Sequence, residues 1–377
     1  MDFTFDEQQI ALRDATRRFL MVEAAPELLA EIWETRSGRS NELRAKFAEQ
    51  GLTALSVPEA YGGMGLDELD WVLILQEMGY YAIPDSLCDG AFLAVHLLRG
   101  LPANGGLAAE WLPKIAAGQA RIALSHPVNP LVADAEVADL LLLWHEDEVH
   151  ALRPQDARLS FNPSIDRSRR LYRVDWKPAA ASRVCGAAPG KALWDGVLNR
   201  AGMAVAAQLL GLAQRMLDQG IDYSAQRKQF GKPVGSFQAV KHHLADVAVK
   251  IEFARPVVSR AACALAQNEP RQATSVSHAR LAAGDAALLA AKRSLQVHGA
   301  MGYTWETDLQ MFMKRAWALD AAWGDRAFHK TRIASDILAD GAALGPGATF
   351  AASAAPRLIN SSDIEPGPAN KQGTSNG

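Results

Sequence analysis

What most constrains this chain is a helical repeat of apolar residues running through its C-terminal half. Between Lys191 and about Leu344, Val205, Leu209, Leu212 and Met216 form one stripe and Phe237, Val240, Leu244, Val247 and Ile251 a second. Residues at this spacing share one face of a helix, and long helices with one apolar face bury it by packing as a bundle. The second helix is entered through Gly231-Lys232-Pro233-Val234-Gly235-Ser236, where Ser236 is placed to act as the N-cap.

The same period governs Asp6 to about Gln119, through Ile10, Leu12, Phe19 and Leu20 and later Leu69, Val72, Leu73, Leu75 and Met78. A loop is expected at 57–65, where Pro58, Gly62, Gly63 and Gly65 exclude a regular helix. From Ala120 to about Gly190 the pattern changes to strand-sized runs at 122–125, 140–144, 149–152, 159–161 and 171–174, bounded by His126-Pro127, Arg153-Pro154 and Asn162-Pro163. The expected fold is therefore mainly α. A helical domain over 1–119 and a C-terminal four-helix bundle over 191–344 flank a small β domain over 120–190, and a Gly/Pro/Ser/Asn-rich tail over 345–377 reads as disordered.

Composition excludes several function classes. With 39 Lys+Arg against 42 Asp+Glu the formal net charge is −3, which gives no bulk attraction to nucleic acid. At 49% hydrophobic, 377 residues can bury a large core. Cys88, Cys185 and Cys263 are far apart and lack metal-ligand spacing, which points to a reduced, cytoplasmic chain without a disulfide framework or zinc site. The acidic N-terminus has no apolar signal region and no apolar run approaches the ~18 residues that span a bilayer, so neither export nor a membrane span is expected. Trp71, Trp111 and Trp317 lie in helical patterns and read as core, whereas His242 and His243 read as surface or interface groups.

Two stretches do not fit a plain bundle. In Tyr223-Ser224-Ala225-Gln226-Arg227-Lys228-Gln229-Phe230-Gly231-Lys232-Pro233 a helix ends in cations, an aromatic and a glycine. Cations at a helix C-terminus with a glycine stop account for this without a ligand, and equally Arg227 can clamp a phosphate while Gln229 offers a further hydrogen bond. In Gln296-Val297-His298-Gly299-Ala300-Met301-Gly302-Tyr303-Thr304-Trp305-Glu306 a helix ends in small residues that let a ligand approach the main chain, or that simply turn it. Glu306 can serve as a carboxylate at a helix N-terminus.

Both stretches, in this order and separation, resemble signatures of the acyl-CoA dehydrogenase flavoenzymes, as do Phe5-Asp6-Glu7-Gln8-Gln9, Pro58 to Gly65 and Ser236-Phe237-Gln238. The resemblance covers nearly the whole chain. It implies FAD at a subunit boundary between the β domain and the bundle. Arg227 would contact the pyrophosphate, with Gln229 and Phe230 near the dinucleotide. Gln296 and Gly299 of the neighbouring subunit would meet the adenosine side, and Ala300 stands where the family has a second glycine. It further implies an acyl-CoA substrate, α,β-desaturation with hydride transfer to flavin N5, an electron-transferring flavoprotein or similar acceptor, and a homo- or hetero-oligomer, dimer or tetramer.

Two departures stand out. The family's catalytic Glu position is occupied by Trp323, and a second known base position falls in Asn199-Arg200-Ala201-Gly202-Met203-Ala204, which has no carboxylate. Three alternatives remain. Asp325, two residues on, acts as the base unless it merely pairs with Arg326 or Arg315; a homologous subunit of a heteromeric dehydrogenase supplies the base; or the chain binds flavin for another reaction or none. In addition, the flavin-lining Thr-Glu-Pro-x-x-Gly-Ser-Asp segment is replaced by Ala123-Leu124-Ser125-His126-Pro127-Val128-Asn129-Pro130, where Ser125 can still donate to the ring and His126 is either a second donor or an ordinary surface-loop histidine.

Overall fold

The computed structural model describes residues 4–102, 106–342 and Gly345; apart from Gly345, the tail expected over 345–377 lies outside the described residues. Among the described residues six α-helices come first: α1 (Glu7–Glu23), α2 (Pro26–Glu34), α3 (Asn41–Glu49), α4 (Glu68–Tyr80), α5 (Val95–Gly100), which continues a π-helical stretch over Cys88–Ala94, and α6 (Leu107–Ala116). Asp6 and Asp67 start α1 and α4 with capping boxes completed by Gln9 and Asp70, which satisfy N–H groups that the helix itself leaves free. The loop at 57–65 holds one turn, Glu59–Tyr61, ended by Gly62 at φ 81°.

Seven strands follow: β1 (Ile122–Leu124), β2 (Val132–Ala133), β3 (Leu140–His145), β4 (Glu148–Leu152), β5 (Arg158–Asn162), β6 (Leu171–Asp175) and β7 (Arg183–Cys185). One sheet has the order β1-β3-β4-β7 with β1 and β3 parallel, and the other is antiparallel in the order β2-β6-β5. The run of four leucines in β3 is explained by burial on both faces. Leu140 and Leu142 belong to the main helical core, and Leu141 and Leu143 to a smaller core with Val132 and Tyr172.

The chain then forms α7 (Ala187–Gln226), a hairpin of β8 (Lys228–Gln229) and β9 (Lys232–Pro233), α8 (Gln238–Ala266), α9 (Gln272–His298), α10 (Leu309–Asp320) and α11 (Arg326–Ile337). Helix α7 is long and apolar enough to cross a membrane, yet 83% of its most apolar stretch is buried inside the protein, as in a core helix. Helices α7 and α9 run in the same direction with α8 returning between them. The Ser294 hydroxyl donates to the Met216 carbonyl at 2.6 Å, and further along both helices Tyr223 stacks on His298 at 4.3 Å. The C-terminal ends of α7 and α9 and the start of α8 therefore meet at one end of the bundle.

Two expectations fail for local reasons. Ser236 does not cap α8: it lies in a turn over Val234–Ser236, its hydroxyl donates to the Pro233 carbonyl at 2.7 Å, and Phe237 takes the N-cap position without a side-chain bond. Trp71 and Trp111 are buried, but Trp317 is 38% exposed, on the outward side of α10.

Helices α4 and α7 touch backbone to backbone. A Cβ at Gly79 would lie 2.1 Å from the Gln208 carbonyl oxygen, and one at Gly211 1.9 Å from that of Gln76. Gly211→Ala must push the two helices apart. A loss of about 3 kcal/mol in the free energy of unfolding is expected, measured by urea denaturation, and an unchanged midpoint would contradict this close contact.

Candidate functional site

At the end where α7, α8 and α9 meet, an open groove of about 580 Å³ is lined by Arg227, Gln229 and Phe230 from one stretch and Gln296, Gly299 and Ala300 from the other. Both stretches thus face one groove within a single chain, whereas the resemblance assigned them to neighbouring subunits; the parallel run of α7 and α9 is the reason. Arg227 ends α7, is exposed, and its guanidinium has no partner among the described residues. Phe230 and Gly231, at φ 51° and 81°, form the two-residue tip of the hairpin, and Phe230 is 90% exposed. Gly299 ends α9 at φ 58°, ψ −134°, a conformation reserved for glycine, and a Cβ there would meet nothing within 4 Å. The uncapped start of α8 opens on the same groove through Phe237, Ala239 and Val240. A free guanidinium beside unpaired helix N–H groups is the donor set that a diphosphate needs.

The second constellation lies where β1, α7 and the α10–α11 loop converge. Residues His126 to Asn129 form a tight turn, with the Asn129 N–H on the His126 carbonyl at 2.8 Å and the Val128 N–H on His126 Nδ1 at 3.1 Å. His126 is buried between Trp194 and Trp323, with ring centroids at 6.0 and 6.1 Å. Asn129 Oδ1 accepts the Trp323 N–H at 3.3 Å, so turn and loop are joined by main chain as well as side chain. Ser125 is engaged too: its hydroxyl oxygen accepts the Trp144 N–H at 3.3 Å.

Trp323 sits at φ 53° next to Gly324 at φ 98°, and Arg280 holds this loop in place. Its guanidinium, 2% exposed, places one nitrogen 3.0–3.4 Å from the carbonyls of Leu319, Asp320, Ala322 and Gly324. Burial lowers the Arg280 pKa to about 10, which leaves it charged. Beneath Trp323 remains a cavity of about 70 Å³ whose walls include Arg39, Asp85, Asp89, Asn129, Arg169 and Arg315. Arg39 pairs with Asp134 through two bonds of 2.7 and 2.5 Å, Arg44 with Asp85 at 2.9 Å, and Arg315 with Asp166 and Ser168. Burial opposes the charge on Asp166, but Arg315 and Ser168 outweigh it and hold the carboxyl below its ordinary value.

Two family models match the chain: the acyl-CoA dehydrogenase N-terminal domain over residues 6–119 and the acyl-CoA dehydrogenase C-terminal domain over residues 190–338. The chain is 31% identical over 312 residues to the acyl-CoA dehydrogenase IpdE2 of Mycolicibacterium smegmatis, covering 82% of this chain and 92% of that one. It is 26% identical to the caffeyl-CoA reductase-Etf complex subunit CarC of Acetobacterium woodii, over 79% of this chain and 90% of that one. In fold it is similar to the ChsE4-ChsE5 complex of Mycobacterium tuberculosis, with TM-score 0.78, 22% identity and coverage of 90% and 99%. The chain belongs to the acyl-CoA dehydrogenase family. Its members are FAD-dependent oxidoreductases, and the mainly α architecture with its small sheets is theirs.

Against that family the two constellations differ in kind. The groove fits the diphosphate end of FAD. The other end does not fit a flavin ring with a thioester beside it, because Trp323, at the base position, touches His126 of the flavin-lining segment. A cavity of about 70 Å³ is also too small for an acyl group, since ligand pockets run to about 300 Å³ and more. Asp325 is engaged elsewhere. Exposed and outside that cavity, it caps α11 by accepting the Phe328 N–H at 2.8 Å. Neither pairing considered for it forms, because Arg326 bridges to Asp285 and Arg315 to Asp166. Asn199, at the second base position, is buried and accepts from Arg332 at 2.5 Å. Sequence reasoning missed Arg280; a lone arginine in the alanine-rich stretch of α9 was the available signal.

Arg280→Met leaves several buried carbonyls without a donor, and a loss of about 3 kcal/mol of stability is expected by thermal unfolding, with no change counting against the role. Histidines give a pH signature. His96, His126 and His329 are held down to about 3, 4 and 3, chiefly by burial. Their folded values lie below the unfolded ~6.5, so the unfolded chain takes up protons first and stability is lost as pH falls from about 6.5 toward those values. Asp89, pushed up to about 6 by burial, works in the opposite sense and offsets one of the three. The free energy of unfolding should fall by about 2.5 kcal/mol per pH unit between about pH 6 and 5 in urea titrations, and a flat profile would contradict neutral burial.

Proposed function

We propose that this chain is the base-free subunit of a two-chain acyl-CoA dehydrogenase. Its groove holds the nucleotide end of FAD, and a homologous partner houses the flavin ring, the acyl-CoA thioester and the carboxylate that removes the α-proton. The observation that carries the reading is the packing of Trp323 against His126, with ring centroids 6.1 Å apart and planes tilted by 40°, which sets two bulky rings between the base position and the flavin-lining turn. Bound FAD supplies the hydride acceptor for α,β-desaturation. The residues of this chain do the holding: Arg227 and the start of α8 neutralise the diphosphate, and Gly299 lets the nucleotide approach the main chain.

Similar structures that join two named chains, ChsE4-ChsE5 and the Tcur3481-Tcur3483 steroid acyl-CoA dehydrogenase variant, support a paired assembly. Membership of the family supports an electron-transferring flavoprotein or a similar acceptor. The near-neutral charge and the burial of α7 favour a cytoplasmic chain without membrane or nucleic-acid partners.

Turnover with an acyl-CoA panel is expected only after co-expression with a homologue carrying the base. In that pair, Arg227→Ala should weaken FAD retention about thirtyfold, near 2 kcal/mol for a charged phosphate contact, and undiminished retention would refute the groove's assignment. Trp323→Glu in the chain alone should leave it inactive. Activity in that variant would show that only the base was missing, and the closed slot would be ruled out.

A further inference from the structure

The groove contains one polar atom whose chemistry is fixed by its surroundings. His298, the last residue of α9, lines the groove and is only 6% exposed. Its Nδ1 lies 2.7 Å from the Ser294 carbonyl, which can only accept, so Nδ1 carries the proton. Its ring is pinned in a stack on Tyr223, with centroids 4.3 Å apart and an interplanar angle of 24°. Burial lowers its pKa, which keeps the ring neutral. Nε2 is therefore a pure acceptor, and it has no hydrogen-bond partner among the described residues. The neighbouring walls, Phe237, Val240 and Met301, are apolar and suit a flat aromatic base.

We propose that His298 reads the base of the nucleotide in this groove, with Nε2 accepting a hydrogen bond from the exocyclic amine of adenine. This rests on the reading of the groove as the nucleotide end of the FAD site and names what makes it selective. A base with a carbonyl at that position presents an acceptor to an acceptor and is rejected. His298 is thus a specificity-determining residue acting on a part of the ligand remote from the chemistry.

The test is calorimetric titration of the full chain with ADP and with inosine diphosphate, which differ at that position of the base. ADP is expected to bind roughly tenfold or more tightly than inosine diphosphate, as for a buried hydrogen bond replaced by opposed acceptors. His298→Phe keeps a ring on Tyr223 and removes Nε2, and should bring the two affinities together by weakening ADP. Equal binding of both nucleotides to the unaltered protein, a comparison independent of any variant's folding, overturns the role of His298 while leaving the groove assignment intact. A preference for ADP that survives in His298→Phe overturns it as well. Binding of neither nucleotide overturns the groove assignment and the inference together.

Discussion

A buried guanidinium sets the position of the loop on which the rest of the site depends. Arg280 gathers the carbonyls at the end of α10, where the chain turns through Trp323 and Gly324 with positive φ. The carbonyl end of a helix is its electronegative end, so a cation there is favourable even when burial lowers its pKa. The loop so held carries Trp323 onto His126, and the Asn129 bond to the Trp323 N–H fixes the contact. Below it, ion pairs built from Arg39, Arg44 and Arg315 surround the small cavity with paired charge. Breaking any one pair would leave a charge buried and alone, which makes this region expensive to reopen.

In the reading proposed above, the two ends of the flavin site have separated within one chain. The groove is open, with an arginine that has no partner among the described residues, an uncapped helix start and a glycine whose missing side chain leaves room. The other end is occupied by the tilted rings of Trp194, His126 and Trp323 and by a polar network. A thioester α-proton is weakly acidic and needs a positioned carboxylate, and the residues near the expected place are a tryptophan, an N-cap aspartate and an asparagine held by an arginine. In that proposed reading, this chain holds the nucleotide and leaves proton removal to a homologous partner.

Much of the architecture was legible in the sequence because periodicity reports burial. The stripes of α7 and α8 and the leucine run of β3 are visible as patterns, whereas β2 and β7, of two and three residues, are too short to show alternation. Ser236 carried the right chemistry for a cap but stands one residue early, in a turn that takes its hydroxyl. The groove residues were legible through family motifs. Their gathering in one chain was not, because it follows from the parallel run of α7 and α9. Nor was the closure of the slot: contacts such as Trp323 with His126 join residues almost two hundred positions apart, and no local pattern encodes them.

The most direct measurement is the flavin content of the purified complex between this chain and a base-bearing homologue, taken as the ratio of flavin absorbance to chains of each kind. One FAD for each pair of chains is the result this account predicts. One FAD for every chain, or a flavin on this chain alone that an acyl-CoA bleaches in the absence of oxygen, would contradict it.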